Sequence, residues 1–402
     1  MKIACVYHPK PYLQNPTAQY GLGLLALATL AAECGCDVSV IDGQGSPREW
    51  IPDATADVWL LSACLVDTPI INHLIENVEG HVVVGGPISH SPQVVSPRAI
   101  VVAGPGEPHI EHLCTGNGKD HYLDFDRYPI PDRSLLYHYG GNIYHPHSGV
   151  RSSVSSTLLT SRGCEYWCAF CTSGTSGNGV HNYPINRIDK ELEQIVGLGI
   201  THIRISDDNI MASPKRLVEV CHLLRNAGVQ WRASIRVSDA TKDIYEEMAS
   251  SGCIEVSFGV ESGDPKVLRT LRKGARIEQT ERSILRASLA GLHVRMLMMM
   301  GTPGERPETL ELNKRFVEKF PDSVVSLGIF YPFPGTQIYQ NPSKFGCTLE
   351  PSADPNICAF RPNGDSPEAN IAIIGGMTKD ELTKQFLEMR QFLVDRKQNN
   401  PG

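Results

Sequence analysis

Ser161-Arg162-Gly163-Cys164-Glu165-Tyr166-Trp167-Cys168-Ala169-Phe170-Cys171 places three thiols in a C-x3-C-x2-C spacing. The run directly follows Thr157–Ser161, a stretch that reads as a strand. A short loop with that spacing can wrap an iron–sulfur cubane and leave thiolates on three irons. The fourth iron then lacks a protein ligand and is open to a small molecule. Zinc is a competing reading, and it wants a fourth Cys or His for a closed tetrahedral shell. His181 is the nearest candidate, at an unconvincing distance. Chance clustering is the bland alternative.

Working outward, strands and helices alternate on the C-terminal side. The candidate strands are Thr157–Ser161, His202–Ser206, Gln230–Ile235, Ile254–Val260, Val294–Met300 and Val324–Phe330. Helical patterns fall between them at Asp189–Leu198, Pro214–Ala227, Lys242–Ser251 and Glu278–Ala290. Such βα rounds predict a partial barrel or an open α/β sheet, with ligands at the C-terminal strand ends. The methionines Met296, Met298, Met299 and Met300 read as strand core, because Met fills irregular apolar gaps.

The N-terminal side is also α/β. Lys2–Tyr7, Asp37–Asp42, Val58–Ala63, His81–Gly85 and Ala99–Ala103 are near-continuous Val/Ile/Leu runs. Runs of that kind predict a parallel sheet covered on both faces. Gly21–Cys34 reads as a buried apolar helix, too short for a bilayer span. Residues 116–153 are rich in Tyr, Pro, His and Asp and predict a linker, in which His145 and His147 read as surface loop. The expected layout is 1–115 as a first domain, 116–153 as linker, 154–340 as a partial barrel and 341–402 as a C-terminal cap. The cap rests on Leu382, Phe386, Met389, Phe392 and Leu393, which recur at helical spacing.

Of the 402 residues, 41% are hydrophobic and 20% charged, which predicts a globular chain with a real core. The net charge is −7, and no basic block occurs, so a bulk nucleic-acid footprint is disfavoured. No export signal is visible, and a cytoplasmic location is expected. Twelve cysteines in that compartment are expected to be free, buried or metal-bound. Cys5, Cys34, Cys36, Cys64 and Cys114 read as scattered, buried small hydrophobes. Cys347 and Cys358 are too few for a second cluster.

On these motifs the C-terminal half, roughly Ser155–Tyr339, resembles the radical S-adenosylmethionine (SAM) superfamily. The whole chain resembles the class of that superfamily with a cobalamin (vitamin B12)-binding domain. The match extends to Ser206-Asp207-Asp208-Asn209, Phe258-Gly259-Val260-Glu261-Ser262-Gly263, Met300-Gly301-Thr302-Pro303-Gly304-Glu305 and Tyr331-Pro332-Phe333-Pro334-Gly335-Thr336, each at a strand end. The resemblance implies a [4Fe–4S] cluster on Cys164, Cys168 and Cys171. It implies SAM contacts from Phe170, Asp207, Asp208, Arg236, Glu261, Ser262, Gly301, Pro303, Gly304 and Tyr331. Taken singly, these residues have plain readings too: Glu261 as a surface ion pair, the aspartates as helix N-terminal charges, the glycines as turn chemistry.

The first half is similar to the Rossmann-like cobalamin-binding domain. Here the resemblance implies contacts from Ser62, Gly85, Gly86, Pro87, Gly104, Gly106 and Glu107. It departs from the pattern in having no Asp-x-His-x-x-Gly, so no histidine is marked as a cobalt ligand, and in carrying Gly104-Pro105-Gly106-Glu107 where GEGE is usual. The expected function is a cobalamin-dependent methyltransferase acting on an unactivated carbon. A non-methylating rearrangement or cyclisation with a structural first domain is the alternative, and a non-catalytic sensor a third reading. The expected partners are a small-molecule or peptide substrate and an electron donor of the flavodoxin or ferredoxin kind.

Overall fold

The computed structural model describes residues 1–13, 20–116, 127–137, 155–173, 179–237, 240–350 and 373–399. The expectations for His145, His147 and Cys358 lie outside the described residues. Five parallel strands open the fold: β1 (Lys2–Tyr7), β2 (Asp37–Asp42), β3 (Val58–Ser62), β4 (His81–Gly85) and β5 (Ala99–Val101). They pair in the order β2-β1-β3-β4-β5. The apolar runs of β1 and β3 are buried along nearly their whole length, as in strands covered on both faces, whereas β2, β4 and β5 are only partly buried, so the expected cover on both faces holds for the centre of the sheet and not for its edges. Ala4, Val6, Trp59, Leu61, Val82 and Val84 lie in one core with Ile71, Leu74 and Ile75 of helix Thr68–Asn77. Helix Leu22–Glu33 is apolar nearly all round and buries Leu24, Leu25, Ala28 and Ala31. The order reverses direction between β1 and β3, and such a switch point opens a ligand crevice at the strand carboxyl ends.

The second half carries β6 (Ser155–Leu158), β7 (Ser161–Arg162), β8 (His181–Asn182), β9 (His202–Ile205), β10 (Gln230–Ile235), β11 (Cys253–Glu261), β12 (His293–Met300) and β13 (Val324–Ile329). A six-stranded sheet has the order β13-β12-β11-β10-β9-β6. Its members β10 to β13 are parallel neighbours. By its contacts the chain forms two compact units, Met1–Leu158 with Tyr183–Arg204, and Leu159–Asn182 with Ile205–Gly402. No helix among the described residues is long and apolar enough to cross a membrane.

Local chemistry explains the boundaries. Helix Pro214–Ala227 begins where Ser213 Oγ accepts from Arg216 N and Pro214 supplies a fixed φ, and ends at left-handed Gly228. Its Leu217, Val220, Cys221 and Leu224 are buried, the stripe a core-facing helix presents. Burying one Leu or Val fully is worth roughly 1.5–3 kcal/mol, so packing, not propensity, holds the helix.

One expectation needs correction. The strand expected at Thr157–Ser161 is instead Ser155–Leu158, and Ser161–Arg162 pairs separately with β8. The Asp207 carboxylate accepts from Thr160 N at 2.7 Å, from Thr160 Oγ1 and from Ser161 Oγ at 2.8 Å, which holds this stretch out of the ladder. Within the segment expected as a linker, the described residues include helix Ser134–Tyr137 and the fully buried Arg133. Arg133 Nη2 donates to Glu191 Oε1 and to Thr157 O, both at 2.6 Å.

Candidate functional site at the strand ends

Cys164, Cys168 and Cys171, the cysteines expected to hold a cluster, lie on the loop between β7 and β8, whose pairing Arg162↔His181 closes its base. Gly163 enters this loop with φ +90, and a Cβ there would lie 2.1 Å from Gly179 O. Only glycine fits that approach. Asp208 braces the loop by accepting from Gly163 N at 2.8 Å and Ser173 Oγ at 2.6 Å. Cys168 is buried, while Cys164 and Cys171 are half-buried. Burial pushes the Cys164 thiol up, with Arg236 pulling the other way. Arg236 Nη1 donates to Cys168 Sγ at 3.0 Å. Thiols on one short loop beside a buried-edge cation suit a group carrying several thiolates, because the cation offsets part of their charge. No three His, Cys, Asp or Glu side chains among the described residues already converge as a metal site.

Apart from Phe170, which lies on the cysteine loop, the expected SAM residues lie at the ends of strands of the six-stranded sheet. Asp207 and Asp208 hold backbone and hydroxyls, as given above. Burial pushes the Asp207 carboxyl up, against the hydrogen bonds of Thr160 and Ser161. Glu261 ends β11 with φ +64, a left-handed conformation uncommon for a residue with a Cβ. Such strain concentrates where the surroundings over-determine a geometry. Its Oε1 accepts from Lys273 Nζ at 2.6 Å, and the Lys273 ammonium lies 5.7 Å from the Phe170 ring centroid. Gly259 makes room for the pair, since a Cβ there would sit 2.7 Å from both Glu261 Oε1 and Lys273 Nζ. The surface ion pair considered for Glu261 is therefore a buried one. Ser262 Oγ donates to Asn313 Oδ1 at 3.0 Å and accepts from Asp264 N at 3.1 Å. Gly301, Pro303 and Gly304 form the turn after β12, in which Thr302 N and Thr302 Oγ1 donate to Glu305 Oε1 at 2.8 and 2.9 Å. Tyr331 follows β13, its ring centroid 5.1 Å from that of Phe333.

In the first unit, the expected cobalamin residues sit after β3, β4 and β5. Ser62 ends β3 and is exposed. Gly86 has φ +85, and a Cβ there would meet Ser62 Oγ and Ala63 O at 2.9 Å. Pro87 starts the next turn. Gly104, at φ +83, faces open space, and Gly106 abuts Leu27, 2.8 Å from where its Cβ would be. Glu107 starts helix Glu107–Thr115.

Two groupings escaped the sequence reading. Asp67, fully buried after β3, accepts from Lys10 Nζ at 2.9 and 3.0 Å, from Cys64 N at 2.7 Å and from Tyr12 OH, with His8 Nε2 at 3.1 Å. Burial raises its pKa, and His8, Lys10 and Tyr12 outweigh that and hold it below the usual carboxylate range. No periodic signal links Lys10 to a residue 57 positions away, though His8 and Lys10 directly after β1 were a usable clue. Second, Cys36 Sγ donates to Cys114 Sγ at 3.3 Å, and Cys34 joins them. They are half-buried, as is Cys64, so the reading of scattered, buried hydrophobes holds for Cys5 and not for these.

The site is a cysteine loop set among the carboxyl ends of parallel strands, an arrangement that defines a metal-cofactor enzyme of the α/β class. Residues 158–317 match the family model of the Radical SAM superfamily. That family match implies a [4Fe–4S] cluster and SAM as cofactors. An uncharacterized methyltransferase of Pyrococcus horikoshii is 26% identical over 364 residues, 79% of this chain and 77% of that one. Bacteriochlorophyllide d C-12(1)-methyltransferase of Chlorobaculum tepidum is 27% identical over 203 residues, 48% of this chain and 44% of its own length. Among solved structures, the radical SAM methyltransferase TsrM of Kitasatospora setae, with cobalamin and a [4Fe–4S] cluster bound, superposes with TM-score 0.68 at 18% identity. That match covers 98% of this chain and 88% of TsrM, and it establishes likeness of fold.

Proposed function

We propose that this chain is a cobalamin-dependent radical SAM methyltransferase that methylates an unactivated carbon of a small-molecule or peptide substrate. The observation that carries the reading is the parallel β2-β1-β3-β4-β5 sheet ahead of the cysteine loop, with glycine turns at its carboxyl ends. Supporting it, the Pyrococcus relative named a methyltransferase spans most of both chains.

When bound, the cluster supplies the electron that cleaves SAM, and cobalamin supplies a methyl group. Cys164, Cys168 and Cys171 would hold three irons, leaving the fourth for SAM. Around that position, Phe170 offers an apolar face, and the Glu261 carboxylate is the candidate acceptor for ribose hydroxyls. Lys273 holds Glu261 in its strained conformation and is a further charge for an anionic ligand group. The Gly301–Gly304 turn lets backbone approach a flat base. In the first domain, proposed as residues 1–115 and Rossmann-like, Ser62, Gly85, Gly86, Pro87, Gly104, Gly106 and Glu107 would cradle the corrin or its nucleotide tail. The open space at Gly104 and the close approach at Gly86 suit such a cradle. The partial barrel and the C-terminal cap would enclose the other cofactor. In that cap, helix Lys379–Asn399 buries Leu382, Phe386 and Met389.

The test is made on the anaerobically reconstituted full chain: iron, sulfide and cobalamin per chain, then transfer of label from methyl-labelled SAM. About four irons, the content of one cubane, with one cobalamin supports the reading. The same iron without cobalamin sinks it and brings forward a non-methylating reaction with a structural first domain.

A further inference from the structure

Arg236 follows β10, and the sequence suggests it as a partner for the SAM carboxylate. Its surroundings point elsewhere. Nη1 donates to Cys168 Sγ at 3.0 Å. The guanidinium lies over the Tyr166 ring, 3.6 Å from its centroid. Nη2 is buried and has no partner among the described residues. Gly274, with φ +67, leaves it space, since a Cβ there would sit 3.2 Å from Nη2. Tyr166 and Cys168 belong to one loop. That loop's own aromatic ring thus steadies the cation that meets its own thiol.

We propose that Arg236, held in place by Tyr166, raises the reduction potential of the [4Fe–4S] cluster by donating to the Cys168 thiolate. The inference rests on the cluster that the family match at residues 158–317 implies, and needs neither cobalamin nor methyl transfer. Reduction takes one electron from a low-potential one-electron donor and adds one negative charge to a cluster ligated by thiolates. A cation hydrogen-bonded to a ligand sulfur stabilises the reduced form more than the oxidised one. Hydrogen bonds to the sulfurs are among the recognised levers on such potentials. Arginine suits the task, because it stays charged at every relevant pH and stacks on an aromatic face. A charged donor also makes the stronger hydrogen bond. Arg236 is on this view a positioning residue for charge, acting through Cys168.

The experiment is a potentiometric titration followed by electron paramagnetic resonance, on the reconstituted full chain without SAM, substrate or cobalamin. Arg236→Gln is expected to move the midpoint to a more negative value at unchanged iron content. Arg236→Lys, which keeps a charge but not the stacked plane, should fall between. Tyr166→Leu should shift the midpoint in the same direction by less, while Tyr166→Phe leaves it in place. The double variant Arg236→Gln/Tyr166→Leu should shift no further than Arg236→Gln alone, as for residues acting through one contact. An unchanged midpoint in Arg236→Gln with full iron overturns the proposal. So does an unchanged midpoint accompanied by weakened SAM binding, which returns Arg236 to the SAM carboxylate. Should Arg236→Gln fail to retain its cluster, Arg236→Lys and Tyr166→Leu decide, and unchanged midpoints in both overturn it. Failure of the methyltransferase reading would leave this titration unaffected.

Discussion

Lys273 Nζ donates to Glu261 Oε1 at 2.6 Å, and both side chains are nearly sequestered, at 7% and 10% exposure. Removing one partner of such a pair strands the other charge. Lys273→Met is therefore expected to destabilise the chain by about 3–5 kcal/mol. Replacing both, as Glu261→Gln/Lys273→Met, should cost less than the single change, because no charge is left unpaired. Denaturant unfolding of the four-member cycle checks this. A double variant as unstable as the sum of its parts would show that the pair does not act as a unit.

Gly163 stands one residue before Cys164, at φ +90, where a side chain would strike Gly179 O. Gly163→Ala must move the backbone carrying the first thiol. The left-handed conformation alone costs about 1–2 kcal/mol for a residue with a Cβ. The expected outcome is a folded chain with most of its iron lost. Iron analysis beside circular dichroism reads it out. Full iron content in Gly163→Ala would mean the loop tolerates displacement of its entry.

Glu305 is the titrating group to watch. Burial raises its pKa to about 7, against the hydrogen bonds of Thr302, and nearby Asp264 adds to the rise. The folded chain thus binds a proton that the unfolded chain has released above the ordinary carboxylate range. The stability this contributes is present at acid pH and is lost as pH rises through about 7. The swing is roughly 3 kcal/mol, at about 1.36 kcal/mol per pH unit. The substitution Glu305→Gln keeps an acceptor at this position and removes the titration. The stability of that variant relative to the wild type should therefore grow from pH ~5 to pH ~8. Parallel stability curves for the two proteins would contradict the assignment.

Most strands were legible from composition alone. Lys2–Tyr7, Asp37–Asp42, His81–Gly85 and Gln230–Ile235 fall as expected, the first as a run buried almost throughout and the last as an alternating strand with Trp231, Ala233 and Ile235 inward. Helix Pro214–Ala227 was equally clear, its ends marked by Ser213 and Gly228. The methionines of β12 are core at Met296, Met298 and Met300, with Met299 half-buried on the alternate face. What stayed hidden was pairing over distance. Lys273 carries no local mark of its partnership with Glu261. The same holds for the convergence of Cys34, Cys36 and Cys114 and for the grip of Asp67 on Lys10 and Tyr12. A break in the ladder at Thr160 depends on Asp207, a residue 47 positions away. The functional roles of individual side chains came from resemblance and not from pattern.

The short pairing of β7 with β8, with Gly163 locked under Gly179, has a consequence for the life of the cofactor. The two ends of the cysteine loop are joined by protein contacts. The entropy of closing that loop is therefore spent during folding, before any iron arrives. A zinc finger, by contrast, charges that cost to the metal and collapses without it. The iron-free chain is therefore expected to keep this frame, so that repair becomes refilling, which circular dichroism before and after iron removal would show.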